Sequence, residues 1–540
     1  MPAIITDQYR ILNAETFVNS FVGIGTSGNN NYYAFLGHPN PTNITVKNYG
    51  APNWGSELPA PVDSFSQESF YYDSMLFLKK VTSNDVRRVV PRIDWQSGTV
   101  YEMFRSNYSA TNLTPQSKST TLYGASYYVV TSEFKVYLCI NNGTDPTNPR
   151  GQGSQFEPIH TNTAPDIAGN GSDGYLWKYL YTIAPSDIVK FVTSTYIPLP
   201  KEWGDITTQN IKNAAVDGKI ETIIIKDGGS GHNFTDADGN IQQGGSIGNV
   251  PIVGDGTGGL ATIEFNDGVV TGISVADGGS GYTQAAVKFT NETFGDQTLS
   301  PGTGGEFEVI IPPKGGHGFD VYRELGAFRV MLYSKYDNNV DHAPDYVIGN
   351  DFSRVGLVKN PLQLNGTDLL NSTTASNLSA LKLKPESTSG LTTSQFKFAS
   401  NVQITQTLSS VGLGSTAVGH VASWDPDTGI LKYYQPVGYS TSSTYSFKKL
   451  DFSGENENGP VITGSTNTAN NNDKMVIDTG FNGSSIDIGG RSISLSSTFV
   501  SGKAPADVKK YSGDIIYIDN RAPIERTTSQ KEEVKIVIEF

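Results

Sequence analysis

The sequence predicts a mainly β, multidomain protein with a few short helices. Three observations carry this: a composition of turn formers and aromatics, runs of alternating apolar residues, and an internal repeat of short strands. The 540 residues suffice for three or four domains at ~150 residues each. Charged residues make up 17%, below the ~25% usual for globular proteins, while glycine reaches 58. Gly, Asn, Ser and Thr in such abundance favour turns and short strands over long helices. With 25 Phe and 27 Tyr there is ample apolar surface to bury, unlike in a disordered chain.

The helix signals come first. After Asn13 as an N-cap, Ala14, Phe17, Val18 and Phe21 fall on one helical face, and Gly23, Gly25 and Gly28 stop it. A second helix is expected from Ser64 to Phe77, with Phe65, Tyr72, Met75 and Leu76 on one side. The Pro- and Asn-rich text from Gly37 to Pro61 reads as loop.

From Thr121 the pattern changes to strands. Tyr127–Ile140 is β-branched and aromatic. In Gly174–Ile183 the residues Tyr175, Trp177, Tyr179, Tyr181 and Ile183 share one face by strand alternation. Asn141–Gly171 between them reads as an exposed loop. Gly218–His232 then recurs fifty positions later as Gly268–Tyr282, each copy a strand running into an Asp-Gly-Gly turn. Two copies make a small duplicated β module, since a solenoid needs three or more repeats. Asn365–Ser400 reads as a linker, Val421–Tyr434 as a hairpin around Asp-Pro-Asp-Thr-Gly, and Asn467–Asp473 as a loop tip. Val534, Ile536, Ile538 and Phe540 alternate, which predicts a final strand tied into a sheet.

Charge narrows the function classes. A net charge of −14 and a pI near 5.0 exclude a typical nucleic-acid binder, which needs clustered Lys and Arg to displace counterions. The one cysteine, Cys139, rules out an intrachain disulfide framework and reads as a small buried hydrophobe within Phe134–Ile140. No apolar stretch approaches the ~18–20 residues that span a bilayer. Met1–Asp7 lacks the basic and apolar regions of a signal peptide, so a cytoplasmic site of synthesis is expected.

The search for chemistry yields bland readings. The two Asp-Gly-Gly-Ser-Gly turns are followed by no helical pattern, so they do not form phosphate loops. Asp236-Ala-Asp-Gly-Asn240 spaces carboxylates as a calcium loop does, but its glycine comes early and the twelfth position is Ile247. A solvated turn is the better reading. The six histidines stand singly, with no metal-binding pair; His317, between glycines, reads as a turn residue. Gly244-Gly-Ser-Ile-Gly248 lacks the flanking strand and helix of a nucleophile elbow. No catalytic residue, cofactor or metal ligand is assigned. Arg92 and Arg521 are candidate partner anchors, set against the plainer reading that each pairs with a nearby carboxylate.

Three separated patterns, in order, resemble one family. Val89-Val-Pro91-Arg92-Ile-Asp94-Trp95 is similar to a Pro-Arg-x-Asp-Trp stretch. Asp173-Gly174-Tyr175-Leu-Trp177-Lys-Tyr179-Leu-Tyr-Thr-Ile-Ala-Pro185 resembles Asp-Gly-Tyr-x-Trp-x-Tyr-Leu with a following proline. Ser512–Ile524, with Asn520, Arg521 and Pro523, resembles Gly-x-x-Ile-Tyr-x-x-Asn-Arg-x-Pro-Ile, and Asp351–Leu362 is a weaker fourth match. Together they look like the baseplate wedge subunit called gene product eight in T4-like contractile-tailed bacteriophages, in a cyanophage-type long form.

The resemblance implies a β-sandwich-rich structural subunit of the virion tail baseplate, without catalytic activity. It implies homodimers that join the wedge subunits called gene products six, seven and ten, assembled in the host cytoplasm for attachment and contraction. It covers 1–216, 314–364 and 507–540, which leaves 217–313 as an inserted Gly-rich duplicated module and 365–506 as an inserted Ser/Thr/Asn-rich module. A shared body tolerates such insertions because loop-closure cost rises slowly with length. The competing reading is a tail-associated protein that binds or cleaves host glycans, which would need an aromatic-lined groove. A third is a tail-fibre connector.

Overall fold

The computed structural model describes residues 4–21, 30–38, 58, 60–337, 351–386, 390–400, 402–407, 416–434, 461–463, 466–467, 474–527 and 530–540. The chain is mainly β, with short helices, and divides into two compact units. Unit 1 comprises 1–18, 87–331 and 537–540; unit 2 comprises 19–86 and 332–536. Each unit gathers stretches far apart in sequence.

Unit 1 opens on a helix, Asp7–Ser20, which starts six residues before the expected cap. Thr6 does the capping, its hydroxyl accepting the Tyr9 N–H at 3.3 Å, so Asn13 lies mid-helix. Ile11 and Ala14 form its buried stripe. The predicted stop glycines Gly23, Gly25 and Gly28 lie outside the described residues.

The centre of this unit is an antiparallel sheet ordered Tyr128–Val130, Lys135–Asn142, Tyr175–Thr182, Asp166–Ile167. The β-branched and aromatic run Tyr127–Ile140 supplies two strands of a hairpin. Both faces of Tyr175–Thr182 are covered: Tyr175, Trp177 and Tyr181 are buried, but so are Lys178 and Leu180, while Tyr179 is half-buried. Bulges between Val136/Tyr137 and Cys139/Asn141 break the simple alternation. Cys139 is fully buried, and burial pushes its thiol pKa well up.

The duplicated segment folds as an exchange. Ile223–Asp227 pairs with Glu306–Val309, and Val269–Ser280 pairs with Thr257–Asn266. The backbone bonds between the copies are reciprocal. Ile220 N–H donates to Gly278 O and Val270 N–H to Gly228 O, both at 2.9 Å. His232 N–H donates to Gly268 O at 2.9 Å, and Tyr282 N–H to Gly218 O at 3.3 Å. In both turns the Asp carboxylate, Asp227 or Asp277, accepts the N–H of the second glycine at 2.9 Å. Each copy therefore bonds the other reciprocally, while its Asp-Gly-Gly turn is closed from within. Close approach demands glycine here: a Cβ on Gly278 would lie 2.2 Å from Ile220 O.

Unit 2 holds a five-stranded antiparallel sheet ordered Thr374–Ser376, Met75–Val81, Tyr32–Gly37, Asp351–Lys359, Asp514–Glu525. Tyr32–Gly37 is buried at all six positions, which marks a strand covered on both faces. The preceding helix, Phe65–Ser74, stops short of the expected Phe77 because the apolar run from Met75 enters this sheet. A second sheet runs Ile430–Tyr434, Thr416–Asp425, Gln403–Thr407, Val461–Thr463, Lys474–Ile477, Ser379–Pro385, Lys503–Ala504. Its first strand also pairs with Ser379–Pro385, so the sheet closes on itself around Leu381, Leu383, Ile404, Val421, Leu431 and Met475.

This corrects the linker reading of Asn365–Ser400. Leu381 and Leu383 are fully buried and alternate with Lys382 and Lys384, a strand hidden in polar text. The hairpin in Val421–Tyr434 forms as expected, with Gly429 N–H donating to Asp425 O at 2.8 Å. Of the expected loop tip, 468–473 lies outside the described residues. The final strand is Glu532–Glu539, with Ile536 buried.

Candidate functional site

The residues singled out by their patterns fall in both units. Pro91, Arg92, Asp94, Trp95, Asp173, Gly174, Tyr175, Trp177 and Tyr179 belong to unit 1, and Asn520, Arg521 and Pro523 to unit 2.

Within unit 1 the first two patterns meet through Tyr101. Its hydroxyl donates to Asp94 O at 2.9 Å and accepts the Gln96 N–H at 2.6 Å. Its own N–H donates to the Tyr175 hydroxyl at 2.9 Å. Its ring meets Trp177 edge-on at 5.9 Å, and Tyr175 stacks on Trp177 at 5.2 Å and 15°. Such pairs contribute about 0.5–1.5 kcal/mol each beyond burial. Burial raises the Tyr101 and Tyr175 pKa values, keeping both phenols neutral donors.

A loop at 152–155 ties the same cluster from the other side. Trp95 Nε1–H donates to Ser154 Oγ at 3.0 Å, Tyr175 O–H to Gln152 O at 2.7 Å, and Gln155 N–H to buried Asp173 at 2.8 Å. Gly174 has φ +72°, and a Cβ there would lie 2.7 Å from Gly143 Cα. Pro91 O accepts the Tyr128 O–H at 2.7 Å. Tyr179 O–H and Thr182 Oγ1 lie 2.8 Å apart near the surface. Arg92 reaches Asp94 at 2.9 Å and Thr193 O at 3.1 Å, so it holds a local loop.

Sequence reasoning missed Tyr101, Glu102 and Ser154. Glu102 is fully buried and accepts the N–H groups of Gln116 (3.0 Å), Ser117 (2.8 Å) and Ser126 (2.6 Å), which pins the 115–126 loop. No local signature announces such a residue, because its partners are mostly backbone amides, joined by the Ser117 hydroxyl at 3.0 Å.

The duplicated module is fastened to this sheet by polar contacts. Lys178 Nζ meets Glu221 at 3.2 Å with both side chains buried, and Asn141 Nδ2–H donates to Thr222 Oγ1 at 2.9 Å. Arg105 and Lys226 meet Glu308 at 3.2 and 2.7 Å, with Asn107 donating at 2.9 Å. Burial alone would raise the Glu308 pKa, but these donors outweigh it and hold the carboxylate below its usual range. Ile224 and Ile310 enter the main core of the unit.

In unit 2, Asn520 is buried and accepts the Arg354 Nε–H at 3.0 Å. Arg521 is 64% exposed at its side chain and pairs with Asp519 at 2.6 Å. Pro523 lies in the same strand, Asp514–Glu525.

The candidates for other chemistry take structural places. Asp236 accepts the N–H groups of Asp238 and Asn240 at 3.1 and 2.8 Å, closing an exposed hairpin turn. His317 sits in a turn, but its ring is buried, 2.5 Å from Glu324 and edge-on to Phe104. Ser246 lies within the strand Gly245–Gly254, not at a strand-to-helix elbow. Among the described residues no group of three or more His, Cys, Asp or Glu is placed to hold a metal, and no helix is long and apolar enough to cross a membrane.

What these residues define as a class is a β scaffold: interlocked aromatic rings, capped loops and a docked module. Residues 117–220 match the sequence family described as Bacteriophage T4, Gp8. The chain is also 28% identical over 211 residues to the baseplate wedge protein gp8 of Enterobacteria phage T4, covering 37% of this chain and 60% of that protein. It thus spans three-fifths of the length of that curated relative. Both matches are to gp8 proteins of phage T4.

Proposed function

We propose that the chain is a structural subunit of a phage tail baseplate wedge, which forms a homodimer and joins neighbouring wedge proteins, those resembling gene products six, seven and ten. The observation that carries this reading is the 117–220 match, which takes in the Tyr175–Trp177 core and ends where the duplicated segment begins. The role is assembly, not catalysis. On this reading 217–313 and 365–506 are modules inserted into a shared body; the reciprocal closure of the first favours its having been added as one piece.

Electron microscopy of virions grown with an epitope-tagged chain tests the location. Antibody label at the distal end of the tail supports the wedge role. Label along fibres or on the head contradicts it.

A further inference from the structure

The two copies of the repeat close their seams with different acceptors. In one seam the ring of His232, fully buried, accepts the Gly302 N–H on Nδ1 at 2.8 Å. This fastens the loop 301–305 to the turn 228–232, at the mouth of the ribbon formed by Ile223–Asp227 and Glu306–Val309. Ser230 and Thr303 complete the fastening, each donating its N–H to the other's carbonyl, at 2.8 and 2.9 Å. In the sister copy Tyr282 stands where His232 does. Its hydroxyl accepts the Gly259 N–H at 3.0 Å and donates to Ile252 O at 2.8 Å. One seam thus hangs on an imidazole and the other on a phenol.

A neutral imidazole that accepts on Nδ1 carries its single proton on Nε2. A second proton can enter only at Nδ1, where the Gly302 N–H already points. Two donors would then face each other across 2.8 Å, and the amide would lose its acceptor. The ring is held in place by its neighbours. Phe289 packs edge-on at 5.1 Å, Phe265 lies at 6.3 Å, and a Cβ on Gly229 would come 2.2 Å from Nε2. Asp227, in the same turn, is the carboxylate that favours the charged ring, and Glu306 stands opposite it in the ribbon. On the other segments around the ring, Glu264 and Asp267 are exposed and Lys288 pairs with Glu292 at 2.6 Å. Burial outweighs the pull of the Gly228 backbone and of Asp227, and it lowers the His232 pKa below 6.5.

We infer that His232 is an acid-released latch: neutral, it holds the 301–305 loop against the 228–232 turn, and protonated, it lets that loop go. One seam of the duplicated module then opens while Tyr282 keeps the other shut. Above pH about 6.5 the ring is neutral whether the seam is open or closed, so opening does not depend on pH. Below that value the open seam binds a proton that the closed one refuses. The latch therefore weakens as pH falls, until the closed form is itself protonated. One pH unit below 6.5 the open population has risen about tenfold.

Hydrogen exchange of the full-length chain tests this, read by mass spectrometry at pH about 7 and about 5.5 and corrected for the intrinsic rate. Peptides spanning 228–232 and 301–305 should open about tenfold more often at the lower pH, while peptides spanning 256–259 hold. His232→Asn puts an amide oxygen, which does not titrate, in place of Nδ1, and should abolish the step. Equal opening of the two seams, opening of the Tyr282 seam alone, or no opening at all overturns the latch. So does a step that survives in His232→Asn. Should that variant fail to fold, the comparison of the two seams in the unaltered chain decides alone.

Discussion

The Tyr101 backbone N–H donates to the Tyr175 hydroxyl at 2.9 Å, and that hydroxyl passes its own proton toward Gln152 O at 2.7 Å. One phenol therefore satisfies two backbone groups, one buried and one part-buried, from segments about fifty residues apart. The bond joins the Asp94–Trp95 turn to the aromatic strand, and it makes this cluster the structural centre of unit 1.

Tyr175→Phe tests that centre. The ring stack on Trp177 survives, but the buried Tyr101 amide and the part-buried Gln152 carbonyl lose their partner. The expected cost is about 1–3 kcal/mol, read as an earlier urea midpoint with the slope unchanged. A midpoint equal to that of the unaltered protein would show that water replaces the hydroxyl.

The reciprocal closure of the repeat makes Gly278 a sensitive position. In Gly278→Ala the new methyl would lie 2.2 Å from Ile220 O, whereas in Gly248→Ala the nearest atom is 3.9 Å away. Overpacking of this kind costs about 1–3 kcal/mol. Thermal unfolding should separate the two variants clearly, with Gly278→Ala the weaker.

Glu102→Ala removes the acceptor of three part-buried amides, at about 1–3 kcal/mol for any that water does not reach. Hydrogen exchange at Ser117 and Ser126 should accelerate sharply, while exchange in Lys135–Asn142 changes far less. Uniform acceleration across the unit would mean that the carboxylate supports the whole core instead of one loop.

Acid should loosen the turn that closes 255–284 late in a titration. The Thr283 hydroxyl, then the Gln284 and Thr283 amides, stabilise the Asp255 carboxylate and lower its pKa from 3.8 to about 2. A depressed folded pKa gives a contribution that is complete above the unfolded value and lost as pH falls through the folded one. The amide signals of Thr283 and Gln284 should therefore hold at pH about 4 and shift near pH about 2. A shift centred near 3.8 would contradict the hydrogen bonds.

Several of these features were legible in the sequence and others were not, for physical reasons. Glycines and alternation expose local structure, so the Asp-Gly-Gly turns, the Asp425–Gly429 hairpin and the final strand could be read directly. Partner exchange between repeats could not, because periodicity says nothing about which strand a strand pairs with. A second matched pair, Gly256-Thr-Gly-Gly259 and Gly302-Thr-Gly-Gly305, would have hinted at it: Ser280 bridges Thr257 as Ser230 bridges Thr303. Lys178 misleads by type, since alternation sends it to solvent whereas the docked module buries it against Glu221. The linker reading of Asn365–Ser400 failed in the same way, for flanking lysines masked the buried Leu381 and Leu383. Glu102 and Tyr101 bind backbone groups, which leave no trace in side-chain text.

The central claim is that this chain is a wedge subunit, and mass in solution tests it most directly. Light scattering on the purified protein should give twice the 58.1 kDa chain mass. Mixed with the neighbouring wedge subunits, the same sample should form one larger complex of fixed composition. A particle whose mass never changes in their presence would contradict the assignment.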